Sequence, residues 1–149
     1  MASDELRRRL RPGDDWDLVD GKLDGSPMIA RVRTEAAAPG IEAGLLTRVT
    51  FEVELDDQIN GLPSMSEQNV LDGLEDQLSQ LADESGEARL VLLVSGGGKR
   101  HMVLYCRNEG WVTTHRDALG VIFSDRVVEI FAEDDPGWTV HAQFVEAAG

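Results

Sequence analysis

The stretch Leu46-Thr47-Arg48-Val49-Thr50-Phe51-Glu52-Val53-Glu54-Leu55 decides how the rest of the chain is read. Successive side chains of a strand point to opposite faces. Thr47, Val49, Phe51, Val53 and Leu55 therefore share one side, and Leu46, Arg48, Thr50, Glu52 and Glu54 share the other. A dry row opposite a wet row predicts a sheet buried on one face and solvated on the other. That argues for a two-layer α+β domain whose second sheet face stays open.

Downstream, residues 56–63 (DDQINGLP) read as a loop. Ser64 followed by Glu67 has capping-box spacing and opens a helix over residues 65–83. Val70, Leu71, Leu74, Leu78 and Leu81 form its apolar stripe, with Asp72, Asp76 and Asp83 on the wet side. Residues 88–95 are apolar on both faces and belong in the middle of the sheet. Gly96-Gly97-Gly98 turns the chain into a strand over 100–107, with Met102, Leu104 and Cys106 opposite His101, Val103 and Tyr105. Asn108 caps a second helix over 109–122, and a last strand covers 125–133. Asp134-Asp135-Pro136-Gly137 is a turn, and residues 138–145 close the chain without a clear type.

Upstream, Asp24-Gly25-Ser26-Pro27 joins two strands into a hairpin, one over 15–23 and one over 28–34. Residues 35–44 read as a loop rich in Ala, Pro and Gly. The order after the hairpin is β-α-β-β-α-β, the ferredoxin-like arrangement: a mostly antiparallel sheet with its helices on one face. Residues 1–13 are expected to be an N-terminal tail, with Arg7, Arg8, Arg9 and Arg11 as a basic cluster, and 14–149 a single domain.

Composition narrows the function. At 149 residues the chain can bury one full core. A formal net charge of −14 disfavours nucleic acid, whose phosphates call for clustered Lys and Arg. The first residues lack the apolar run of a secretory leader, and no apolar run is long enough to cross a bilayer. The expectation is a cytoplasmic protein without a membrane partner, monomeric or homodimeric.

Several segments taken in order carry a family resemblance. They are Trp16-Asp17 with Gly25-Ser26-Pro27, and Asn60-Gly61-Leu62-Pro63 before the helix with Leu74-Glu75-Asp76. Gly98-Lys99-Arg100 leading to Leu104-Tyr105, and Asp135-Pro136-Gly137-Trp138, complete the set. Together they resemble a bacterial family of domains of unknown function, similar in fold to the regulator of ribonuclease E activity B. The resemblance spans about residues 14–145 and carries no catalytic residue. It implies a regulatory role, since that regulator is an acidic inhibitor of a nuclease. Unlike that regulator, whose acidity lies in a C-terminal tail, this chain has its acidity around a loop and a helix.

No catalytic, metal or cofactor site is read from the residues. His101, His115 and His141 fall in three separate elements without the spacing of a zinc site, and the single Cys106 reads as a core thiol. Gly96-Gly97-Gly98-Lys99 lacks the Ser or Thr and the following helix of a phosphate loop. Charge distribution says more. No Lys or Arg occurs between Arg48 and Arg89, an interval with eleven Asp and Glu. The leading expectation is a non-enzymatic regulatory module that docks a basic protein, a nuclease or toxin for example, on Asp56, Asp57, Asp72, Asp76, Asp83 and Glu84. The competing expectation is a small-molecule binder or unconventional enzyme on the open sheet face, with Arg31, Arg33, Arg48, Tyr105 and Trp138. A third is a structural self-associating domain.

Overall fold

The computed structural model describes residues 16–149, so the expected tail over 1–13 lies outside the described residues. The first two strands, β1 (Trp16–Leu23) and β2 (Ser26–Arg33), form the expected hairpin. The deciding stretch is β3 (Thr47–Glu54). Two short strands, β4 (Gln58–Ile59) and β5 (Leu62–Pro63), make a small separate ribbon inside the expected loop. The main sheet is completed by β6 (Ala88–Gly96), β7 (Lys99–Cys106) and β8 (Val128–Asp134). Its strand order is β1-β2-β6-β7-β3-β8, and every neighbouring pair is antiparallel.

The long helix α2 (Met65–Ser85) begins as the capping box predicts: Ser64 Oγ accepts a hydrogen bond from the Glu67 amide at 3.2 Å. It ends at Gly86, whose φ of 69° suits glycine and closes the last turn. Leu71, Leu74, Leu78 and Ala82 face the sheet. Val70 does not join them and is exposed, and Glu75 occupies the inner face instead. The second helical region breaks at His115 into α3 (Gly110–Thr114) and α4 (Arg116–Ile122). The N-cap position falls on Glu109 rather than the expected Asn108, whose side chain, one residue earlier, still accepts from the Gly110 amide at 2.9 Å. Trp111, Leu119 and Phe123 extend the first core, with Phe123 stacked on Phe51.

The open second face is overturned over half of the sheet. Residues 35–44, read as a loop, contain α1 (Ala37–Glu42), and the untyped closing segment is the helix α5 (Thr139–Ala148). A second core collects Ala30, Val32, Leu92, Val94, Val103, Tyr105 and Trp138, and Val140, Phe144 and Val145 of α5 pack on it. On β7, Met102, Leu104 and Cys106 belong to the first core while Val103 and Tyr105 belong to the second, so the two cores lie on opposite faces. β6 feeds both cores, and a β-bulge that shifts its register between Leu90 and Leu92 places the consecutive Val91 and Leu92 both in the second. Helices thus cover both faces of β2, β6 and β7, and the expectation of helices on one face fails because those strands are apolar on both sides. The face carrying Thr50, Glu52, Glu129 and Phe131 toward the β8 edge stays more open.

α5 starts unusually. Trp138 takes a left-handed backbone (φ 53°, ψ 44°), uncommon for a bulky residue. Its indole fills the second core, donates to the Leu45 carbonyl at 2.7 Å and stacks on Tyr105 at 4.1 Å. Gly40 makes room for it, since a Cβ there would lie 2.2 Å from the indole ring.

His141 on α5 is buried, with Nε2–H donating to the Arg33 carbonyl at 2.6 Å and Nδ1 without a partner among the described residues. Burial pushes its pKa below the ordinary value, against the pull of the Arg33 hydrogen bond. The unfolded chain then binds a proton that the folded chain refuses, so stability falls as pH drops below about 6.5. Unfolding free energies from urea titrations between about pH 7.5 and pH 5 are expected to decline by up to about 1.4 kcal/mol per pH unit from this residue. His141→Gln removes that slope.

Candidate functional site

Three sets of polar residues stand out, and they divide the residues singled out in the sequence. The first lies under α2. Alternation along β2 sends Arg31 and Arg33 to the α2 side of the sheet. Arg31 donates to Glu75, and Arg33 donates to Ser79 at 3.4 Å. Trp16 covers this pair, 4.6 Å from the Arg33 guanidinium. From β7, the buried Arg100 reaches the same Glu75 and also contacts Ser95 and, at 2.7 Å, Gln68. Two guanidinium groups thus share one buried carboxylate. Burial, with Arg31 close by, lowers the Arg100 pKa to about 10.

The second set lies on the opposite face around Asp135. Its carboxylate accepts from Arg48 Nη1 at 2.8 Å, from the Tyr105 hydroxyl at 2.8 Å, and from the Thr139 amide and hydroxyl at 2.9 and 2.8 Å. Burial alone raises a carboxyl pKa, but the donors from Thr139, Tyr105 and Arg48 outweigh it and hold Asp135 far below the ordinary carboxylate range. Burial, then the Asp135 contact, raises the Tyr105 phenol. Asp135 caps α5 from four residues upstream and ties that helix to β3 and β7. Arg48, Tyr105 and Trp138 are therefore engaged in packing, with Tyr105 and Trp138 fully buried. The five residues proposed as one ligand face do not converge: Arg31 and Arg33 lie on one side of the sheet, the other three on the reverse. The Asp135 cap was missed in the sequence because Asp134-Asp135-Pro136-Gly137 reads as an ordinary turn.

The third set is acidic. The structure sorts these residues by whether they carry an internal cation. Glu67 is buried against Arg126 at 2.8 Å, and that contact, reinforced by the Asp56 and Asp57 amides, lowers its pKa despite burial. Asp56 also pairs with Arg126 at 2.8 Å, Asp57 accepts from Ser64 at 2.6 Å, and Asp72 accepts from Gln68 at 2.6 Å near Arg31. Glu52 is held by Lys99 and His101. By contrast, Asp76, Asp83, Glu84 and Glu87 are exposed and form no ion pair among the described residues. Positions 76, 80, 83 and 84 stack along one side of α2, and Glu87 continues just past its end. Of the six acids singled out for docking, Asp76, Asp83 and Glu84 form this stripe, whereas Asp56, Asp57 and Asp72 are held by internal contacts near the start of α2.

Cys106 is buried and burial raises its thiol to about 11, which keeps it protonated. No group of His, Cys, Asp and Glu placed to hold a metal occurs among the described residues. No helix among them is long and apolar enough to cross a membrane.

Residues 14–145 match the model of a family of unknown function (DUF695). The chain belongs to this family. No curated protein matches it significantly. In this DUF695 domain the match spans both cores and all three polar sets except the last residues of α5.

Proposed function

We propose that this protein is a non-enzymatic, cytoplasmic regulatory module that docks a basic protein through the outer stripe of α2. The observation that carries this reading is the sorting of charge. The inward acids Glu67 and Glu75 each meet a cation of the same chain, while Asp76, Asp83, Glu84 and Glu87 face solvent as a stripe of one sign without an ion pair among the described residues. A surface of that kind steers an oppositely charged partner and suppresses like-charged ones. The ferredoxin-like reading is supported by the partial order β8-β3-β7-β6, with α2 following β3 and α3–α4 following β7. The hairpin β1-β2 then extends that core by two strands. Likeness to the ribonuclease regulator makes a nuclease an apt first candidate for the partner.

Self-association through β8 is less favoured. Its edge presents Glu129, Glu133 and Asp134, and an acidic edge resists strand pairing with its own copy. Affinity capture with tagged protein at low ionic strength tests the docking role. A basic protein is expected to be retained, to elute as salt is raised, and to be lost from Asp76→Lys/Asp83→Lys/Glu84→Lys. Retention of every partner by that variant contradicts it.

A further inference from the structure

A cleft of about 480 Å³ opens between the β1-β2 hairpin, the start of α2 and the β4-β5 ribbon. Its volume is in the range of small-molecule sites. Leu18, Ile29, Leu62, Met65 and Leu93 give it an apolar lining, and Leu18 and Met65 at its rim are 70% and 85% exposed. Apolar side chains left this exposed around a concavity mark a contact surface.

The charged groups of the lining are all of one kind. Arg31 and Arg100 line the cleft, and no carboxylate does. Their shared counter-ion, Glu75, stands outside the lining. Arg31 is partly exposed; it donates to Glu75 and lies 3.9 Å from the half-exposed Asp72, yet Glu75 is its one hydrogen-bond acceptor among the described residues, although a guanidinium carries five N–H donors. Asn69 and Ser64 add further polar groups at the helix end of the cleft. An apolar wall beside an arginine with donors to spare suits a ligand with an apolar body and one anionic head. Arg31 can receive a carboxylate through paired N–H groups, a charge-assisted arrangement stronger than a neutral hydrogen bond.

We propose that this cleft binds a small organic monocarboxylate, with an apolar body the size of a medium-length acyl chain and its carboxylate on Arg31. The site is separate from the acidic stripe, and neither reading depends on the other.

Amide NMR titrations with sodium octanoate, octylammonium chloride and 1-octanol, matched in chain length, test it. Octanoate is expected to shift the Ile29, Met65 and Asn69 signals saturably and to bind at least about tenfold more tightly than the other two. Arg31→Gln should weaken octanoate about tenfold and bring it level with octanol. Arg31→Gln also loosens Glu75, so Leu18→Asp at an exposed rim position serves as the second variant, and it should abolish octanoate shifts while leaving the fold intact. Equal binding of the three probes, preference for octylammonium, or shifts elsewhere overturns the proposal. Shifts of these same signals that rise with protein concentration in the absence of any probe point to a second copy in the cleft and likewise overturn it.

Discussion

Asp135→Ala is expected to lower the stability of the fold by about 3–5 kcal/mol, a large share of the roughly 5–15 kcal/mol that holds a domain of this size together. The carboxylate is 4% exposed and accepts from Arg48, Tyr105 and two groups of Thr139. Its removal leaves a largely buried guanidinium and a buried hydroxyl without their partner and uncaps α5. Arg48 retains Glu133 at 2.8 Å, but Glu133 is exposed and its contact is screened by solvent. Tyr105→Phe removes one hydrogen bond and should cost about 1–1.5 kcal/mol, well below the loss of the hub. Chemical denaturation of the three proteins gives the comparison. A drop for Asp135→Ala no larger than that for Tyr105→Phe contradicts the assignment of Asp135 as the link between α5 and the sheet.

Glu75→Leu is expected to be comparably severe, at about 3–5 kcal/mol, because it deprives Arg100, 3% exposed, of its ion-pair partner. The informative comparison is the double variant Glu75→Leu/Arg100→Met. Replacing both members of a buried pair removes the desolvation cost along with the attraction, so the double variant should be more stable than either single variant. Additive losses in the cycle mean that Glu75 and Arg100 are not coupled.

The sheet was legible in the sequence because its periodicity is strong. Val49, Phe51 and Val53 alternate strictly with Arg48, Thr50 and Glu52, and each residue lies on the side that pattern assigns. The cap at Ser64 and the Gly96-Gly97-Gly98 hairpin followed from local chemistry alone. The second helical layer was illegible for two physical reasons. α5 begins with Thr139 and Val140, weak helix formers, and takes its cap from Asp135, four residues back, across a residue with positive φ. α1 contains Pro39 and Gly40, which break helical propensity, and Gly40 is required by contact with Trp138 rather than by helix formation. One signal did point to a covered second face. Residues 90–94 are apolar on both sides, and a strand of that kind needs cover on both faces.

The candidate sites were legible as residue types and not as groups. The acidic interval between Arg48 and Arg89 was visible, but its division was not, because Arg126 and Arg100 reach it from distant strands and loops. Arg31 and Arg33 were separated from Arg48 by the sheet itself, since the alternation of β2 and β3 had no common reference until the strand order was known. The apolar cleft brings the β1-β2 hairpin and β6 against the contiguous stretch from Leu62 to Asn69, a long-range juxtaposition, and its rim residue Met65 reads in isolation as an ordinary helix start.

The central claim is that recognition resides in the outer stripe of α2 and not in net charge. It is tested most directly by two variants with equal charge change. One reverses Asp76, Asp83 and Glu84 to Lys, and the other reverses Glu109, Asp117 and Glu146, which are also exposed. The association rate of the captured basic partner is measured for both at low ionic strength. A fall of at least about tenfold for the α2 variant, with the control near wild type, is predicted. Equal rates for the two variants would contradict it.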